Sequence, residues 1–336
     1  MSQDNVIILA IETSCDDTCT AISYNDIIKS NIILTQKIHN TYGGVVPEIS
    51  SREHLQLLPQ AIEKALNESK TTLQQLSAIA FTYGPGLQGP LLVGMNYAKG
   101  LALALQVPLI AINHLKGHIH AASIDNNIQQ PFLSLLISGG NTMIVKVDKN
   151  DTYTILSQTV DDAIGEAYDK IAKILHLEYP GGKYIDILAK KGNKHAFIFP
   201  QTKIEENKFS FSGIKTAFKN FIIKQQNINP NFIQENINDI CASIQENLLN
   251  TLIHKLTIFI EKENINTITL GGGVAANDEL KIKLQLLSKN KKVNIFIPQK
   301  QYCVDNAAMI AHRAYVNYIK KQFCDFNFKT KQQDTL

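Results

Sequence analysis

PFLSLLISGGNTMIVKV, residues 131–147, is an apolar run, a small polar turn and a second apolar run. Short apolar stretches bounded by turn residues have the character of buried strands. The segment therefore predicts a hairpin with Ser138, Gly139, Gly140 and Asn141 at its tip. The same order stands near the start of the chain. NVIILAIETS, residues 5–14, reads as a buried strand, SCDD makes a turn, and CTAIS, residues 19–23, continues as a second strand. The tips match as Ser14-x-x-Asp17-Thr18 and Ser138-x-x-Asn141-Thr142. A hairpin repeated with its polar tip predicts a duplicated α/β lobe. Each tip offers backbone N–H and hydroxyl groups of the kind that cradle phosphate.

The flanking segments extend the repeat. After the first hairpin come a third strand, DIIKSNIILTQ, and a helix, PEISSREHLQLLPQAIEKAL. Pro47 suits the start of that helix, and Ile49, Leu55, Leu58, Ile62 and Leu66 fall at helical spacing. A strand, LSAIAFTYGPG, then precedes an apolar helix, LLVGMNYAKGLALAL, in which Gly94 and Gly100 read as close-packing positions. After the second hairpin come a strand, DTYTILSQT, and a helix, DDAIGEAYDKIAKIL, with Ile164, Tyr168, Ile171, Ile174 and Leu175 on one face. A long helix, ICASIQENLLNTLIHKLTIFIEKE, a strand, INTITLGGG, and a last helix, CVDNAAMIAHRAYVNYI, complete the pattern. The fold class predicted is α/β, with two duplicated actin-like lobes (ASKHA, ribonuclease H-like) around a central cleft. The expected first lobe is 1–128, completed by the last helix at about 304–322, the second lobe is 129–303, and 323–336 is a polar tail without a usable pattern. A generic α/β protein with two unrelated sheets is the competing architecture.

Composition narrows the class. With 336 residues, the chain has room for two packed lobes, and 44% hydrophobic content is that of a globular protein. No apolar run reaches the length of a membrane span, and the opening segment lacks the basic flank and long apolar core of a secretory leader. Five cysteines without a CxxC pair read as reduced thiols, so a cytoplasmic protein with no membrane partner is expected. The net charge of +3 does not by itself point to a polyanionic partner. Most of the 18 glycines gather in clusters after apolar runs, as in ISGGN and LGGGVAAN. Such placement suits close approach of a ligand to the backbone, or tight turns.

NHLKGH, residues 113–118, places His114 and His118 on one helix face, where they can hold one metal ion or be simply a polar face. Zinc proteases carry Glu directly after the first His; here Leu115 stands there. Asp305, between the strand-like VNIFIP and the last helix, would complete a His/His/Asp set with open coordination positions if that helix packs back on the first lobe. Such an ion orients a substrate and polarises a phosphoryl or carbonyl oxygen. In TLGGGVAAN the glycines admit an adenine or ribose, and Asn277 can hydrogen-bond it. Asp169 and Asp186 can accept from ribose hydroxyls, with Gly182 making room, or belong to solvated helix faces. Asp16 and Asp17 can serve as a general base or stabilise their turn. No GxxxxGK[ST] occurs, which excludes a P-loop enzyme.

IETSCDDT, YGGVVPEISSREH, YGPGLQGPLLVG, NHLKGH, ISGGNT, DDAIGEAYDK, YPGG, FSFSGIKTA, LGGGVAAN and CVDNAAMIA occur in the order seen in tRNA N6-adenosine threonylcarbamoyltransferases. The chain resembles that family, TsaD/Gcp, over nearly its whole length. The resemblance implies transfer of a threonylcarbamoyl group from threonylcarbamoyl-AMP to N6 of adenosine 37 in tRNAs reading codons that begin with A. It implies one divalent metal per subunit, iron or zinc with Fe2+ favoured, on His114, His118 and Asp305. Threonylcarbamoyl-AMP would meet Leu136, Ile137, Ser138, Gly139, Gly140, Asp169, Gly182, Asp186 and Asn277. The implied partners are a smaller actin-like paralogue and a P-loop ATPase. Positioning and charge stabilisation suffice for an already activated acyl carbon, with Asp16 or Asp17 taking the amine proton. Asn141 stands where many bacterial members have His, and Asp17 where many have Glu. Lys281, Lys283, Lys289, Lys291 and Lys292 would contact RNA phosphates or form a solvated face. The alternatives are a metal-dependent endopeptidase and an actin-like ATPase without transferase activity.

Overall fold

The computed structural model describes residues 5–200, 205–333 and 336. Its contacts divide the chain into two units, Met1–Asn127 with Pro298–Leu336, and Ile128–Ile297. No helix among the described residues is long and apolar enough to cross a membrane.

The first unit holds a sheet of β1 (Ile7–Glu12), β2 (Asp17–Tyr24), β3 (Ile27–Thr35), β4 (Ala78–Gly84) and β5 (Leu109–Asn113), in the order β3-β2-β1-β4-β5. The first three strands run antiparallel, and β4 and β5 run parallel to β1. β1 is buried along its whole length, as a continuous apolar run in a doubly covered sheet requires. Leu9, Ile11 and Phe81 pack on one side with Leu58 and Ile62 of α1 (Pro47–Ser69) and Met95 of α2 (Gln88–Leu105). Ile8, Ala10, Ala80 and Ile110 pack on the other with Met309 and Ile310 of α10 (Ala307–Ile319). Two short helices, α3 (His114–His120) and α9 (Lys300–Cys303), complete the unit.

The second unit contains β6 (Phe132–Ile137), β7 (Thr142–Asp148), β8 (Thr152–Thr159), β9 (Lys208–Phe209), β10 (Thr267–Gly271) and β11 (Asn294–Phe296), in the order β11-β10-β6-β7-β8-β9. Its helices are α4 (Ile164–Ile174), α5 (Gly181–Ala189), α6 (Ser212–Ile228), α7 (Phe232–Glu263) and α8 (Asp278–Lys291). β6, β7 and β8 run antiparallel, and β10 and β11 run parallel to β6 and β10. Apart from the extra edge strand β9, the order and directions repeat those of the first sheet. The chain therefore carries one strand topology twice.

Three local expectations need correction. Leu55 is 60% exposed, because the inward line of α1 runs through Ser50, His54, Leu58, Ala61, Ile62 and Ala65. Leu55 follows His54 and so lies about 100° round the helix from it. Gly94 does abut the Thr13 side chain, but a side chain on Gly100 would meet nothing, so packing does not require glycine there. The segment after residue 322 is also more than a polar tail. Cys324 bridges to Leu109 at the edge of β5, Phe328 packs edge-on against Phe81 and Tyr83, and Lys331 N–H donates to the Tyr83 carbonyl at 2.8 Å.

Candidate metal centre and candidate nucleotide turn

In the first unit, α3 starts where β5 ends. The Asn113 side chain accepts from Lys116 N–H at 3.1 Å and caps the helix, which makes His114 its first residue and puts His118 one turn on. α10 is capped in the same way, with Asn306 accepting from Met309 N–H at 3.0 Å, and Asp305 stands just before that cap. A side chain at Gly117 would press on Met309 and Ile310, so glycine there lets α3 lie close against α10. His118 Nε2 is 3.0 Å and His114 Nε2 3.6 Å from the same Asp305 oxygen. One donor atom from each of the three residues lies within 4.8 Å of the others, and no second group of this kind occurs among the described residues. Two imidazole nitrogens and one carboxylate oxygen fit a divalent transition metal with positions left open for a substrate.

The next layer was not foreseen from the sequence. Glu12 ends β1 with no exposure, and its Oε2 lies 3.0 Å from His114 Nδ1. The Thr82 hydroxyl donates to Oε2 at 2.5 Å, and Ser14 N–H donates to Oε1 at 2.6 Å. Ser14 Oγ lies 3.2 Å from the same imidazole nitrogen. The single acid that ends the apolar strand IILAIE, residues 7–12, is the available signal, since a buried carboxylate demands partners. Burial opposes the charge on His114, but Glu12 and Asp305 overcome it and lift the imidazole to about 9. Burial likewise opposes the charge on Asp305, yet His114 and His118 hold its carboxyl down at about 2. His118 is pushed down by its own burial.

The first turn is pinned from α1. His54 Nε2–H and Ser50 Oγ–H both donate to the Cys15 carbonyl, at 3.0 and 2.5 Å, while His54 Nδ1 accepts from Thr18 at 2.7 Å. The Asp16 carbonyl accepts from Gln36 N–H at 3.2 Å, and its side chain is half-buried. Burial pushes the Asp17 carboxyl up to about 7; a hydrogen bond from Thr35 opposes the rise, and Asp305, Asp16 and Glu12 add to it. Asp17 Oδ1 has no hydrogen-bond partner among the described residues. Burial and the Asp16 carboxylate push the Cys15 thiol far above its usual range, which removes it as a nucleophile.

In the second unit the tip after β6 closes on itself. Ser138 N–H donates to the Asn141 carbonyl at 2.8 Å, and Asn141 N–H donates to Ser138 Oγ at 3.1 Å. Thr142 Oγ1 accepts from Ile164 N–H at 2.8 Å, tying the hairpin to the start of α4, as Thr18 ties the first hairpin to α1. Leu136 and Ile137 are buried at the end of β6, where the backbone faces β7 and β10. The glycines divide into two kinds. Gly272, at φ +89°, sits against the Ile137 carbonyl, and a side chain at Gly165 would strike the Ser138 carbonyl. Side chains at Gly139 and Gly140 would meet nothing, so protein packing does not dictate glycine there.

Asp169 accepts from Gly181 N–H at 2.7 Å and holds the start of α5. A Cβ on Gly182 would come to 3.7 Å from Tyr168, an ordinary contact. Asp186 and Asn277 do meet, with Asn277 Nδ2 donating to Asp186 Oδ1 at 3.0 Å. Gln245 of α7, buried and unnoticed in the sequence, joins both, donating to Asp186 at 3.3 Å and accepting from Asn277 at 2.9 Å. Asn277 Oδ1 meanwhile caps α8 through Leu280 N–H at 2.9 Å. Among the lysines considered for RNA contact, Lys281 pairs with Asp278, Lys283 with Glu246, and Lys291 with Glu261. The Lys281 and Lys291 pairs are solvent-exposed, whereas Lys283 and Glu246 are largely buried.

The chain is similar to several known proteins. The family model described as TsaD, tRNA N6-adenosine threonylcarbamoyltransferase, matches residues 27–312. A protein of that name from Christiangramia forsetii is 45% identical over 331 residues, covering 97% of each chain. Another from Riemerella anatipestifer is 45% identical over 325 residues, covering 96% of this chain and 95% of its own. Among solved structures, full-length HypF in its phosphate- and nucleotide-bound form superposes with a TM-score of 0.64 at 12% identity; the match covers 96% of this chain and 57% of HypF. That likeness concerns the fold alone, the duplicated actin-like arrangement already visible in the two strand orders. The chain belongs to the TsaD family of tRNA N6-adenosine threonylcarbamoyltransferases.

Proposed function

We propose that this protein forms N6-threonylcarbamoyladenosine in tRNA, taking the threonylcarbamoyl group from threonylcarbamoyl-AMP and placing it on N6 of adenosine 37 in tRNAs that read codons beginning with A. The observation that carries the reaction is 45% identity, across nearly the whole length, to relatives named for it. In the reaction the adenine amine attacks the carbamoyl carbon of the mixed anhydride. A C–N bond forms, the C–O bond to phosphate breaks, and AMP leaves with the electron pair. The N6 proton would go to a base, a role assigned to Asp17 rather than Asp16. Its ionisation near neutral pH and its free Oδ1 support that role, whereas Asp16 would help shape the turn.

His114, His118 and Asp305 would hold one divalent ion, iron or zinc with Fe2+ preferred, which would orient the donor and polarise its carbonyl or phosphoryl oxygen. The open backbone of Gly139 and Gly140, with Ser138 and the ends of Leu136 and Ile137, would take the phosphate side of the nucleotide. Asp186 and Asn277 would take the nucleoside, with Asp169 and Gly182 beside them. The working assembly would include a smaller actin-like paralogue and a P-loop ATPase and would act in the cytoplasm.

An endopeptidase reading lacks its base. Leu115 follows His114, and Glu12 lies behind the ring at Nδ1, fully buried, where it cannot serve a water on the Nε2 side. The test supplies the purified chain with its partners, threonylcarbamoyl-AMP and unmodified tRNA, followed by nucleoside mass spectrometry. Appearance of the modified nucleoside is expected. ATP turnover with tRNA left unmodified would overturn the reading.

A further inference from the structure

Glu12 is a buried carboxylate whose ion-pair partner is a histidine rather than Lys or Arg. Two of its hydrogen bonds, from Ser14 N–H and the Thr82 hydroxyl, tie β1 to its own turn and to β4. Those two would be enough for a purely structural acid. The third contact, 3.0 Å to His114 Nδ1, reaches a side chain whose other nitrogen faces Asp305 at 3.6 Å.

We propose that Glu12 is a positioning residue of the metal centre. By accepting the hydrogen bond from His114 Nδ1–H, it fixes the tautomer in which Nε2 keeps its lone pair toward the ion, and it locks the ring's orientation. The inference rests on His114, His118 and Asp305 being the ligand set. Ligating histidines are commonly held this way, and loss of the outer partner weakens metal binding by about 10–100-fold. His118 provides the contrast, because its Nδ1 is buried without a hydrogen-bond partner among the described residues. The two ligands are therefore unequal, with His114 held from behind and His118 not.

The test uses the full chain and Zn2+ alone, with affinity read by competition against a chromogenic chelator. Glu12→Gln keeps the side-chain shape and removes the charge, and it should bind Zn2+ about 10–100-fold more weakly than wild type while the chelated variant keeps the wild-type circular dichroism spectrum. A purely structural Glu12 would change stability and leave the affinity of the folded protein unaltered, and equal affinities would overturn the proposal. A second measurement needs no variant. Long-range 1H–15N spectra of Zn2+-loaded wild type should show His114 protonated at Nδ1 and metal-bound at Nε2. The opposite tautomer would overturn the proposal even if Glu12→Gln failed to fold. Absence of Zn2+ binding by wild type would overturn the ligand set itself, an outcome distinct from equal affinities.

Discussion

Asp17 begins β2 with one carboxylate oxygen unpartnered among the described residues, and burial lifts its carboxyl from 3.8 to about 7. Between those pH values the folded protein keeps a proton that the unfolded chain has lost. Stability therefore falls as pH rises from 3.8 to about 7 and is constant in this respect above it. In chelated protein, Asp17→Asn should match wild type near pH 4 and exceed it above pH 7 by on the order of 1–4 kcal/mol. Urea unfolding at both pH values checks this, and equal differences at the two would contradict it. Gln245 makes a second case. It holds Asp186 and Asn277 in register, so Gln245→Ala should raise the KM for threonylcarbamoyl-AMP several-fold and change kcat little. A fall confined to kcat would count against it. His114, His118 and Asp305 were legible because helical spacing and a strand-to-helix junction place them. Glu12 and Gln245 were not, since lone polar residues in apolar runs have no periodic signature and their partners lie far along the chain, 102 residues away in the case of Glu12 and His114.

Around the turn that follows β6, glycine does two different jobs, and substitution separates them. Gly272→Ala forces a side chain into a left-handed backbone position against the Ile137 carbonyl, which should cost about 1–3 kcal/mol. Gly139→Ala meets open space and should leave the unfolding midpoint within about 0.5 kcal/mol of wild type. If the backbone there receives a phosphate, Gly139→Ala should still weaken AMP binding at least tenfold by calorimetry, and unchanged binding would remove the turn from the nucleotide site. The glycine pairs announced a backbone constraint in the sequence. Which glycines answer to neighbouring strands and which stay open depends on β10 lying beside β6 and α4 packing on the turn. That knowledge enters only with the sheet order. Leu55 and Gly100 failed for a related reason, because composition within a helix does not reveal which line of its surface meets the sheet.

At the scale of the whole molecule, the repeated hairpin in residues 5–23 and 131–147 was enough to indicate duplication. The sheets bear it out as β3-β2-β1-β4-β5 and β8-β7-β6-β10-β11, the second with one added edge strand. The last segment was not legible, because its aromatic residues are spaced irregularly and gain meaning only against Phe81 and Tyr83. The late return of the chain to the first unit matters most for function, since it brings Asp305 to a histidine 187 residues earlier. The proposed ion depends on that return. The most direct test compares wild type with His114→Ala in the complete system of partner proteins, threonylcarbamoyl-AMP and unmodified tRNA, with the modified nucleoside quantified by mass spectrometry. The metal-centred account predicts product from wild type and at least a hundredfold loss in the variant, about 3 kcal/mol of transition-state stabilisation. Equal yields from two folded proteins would contradict it.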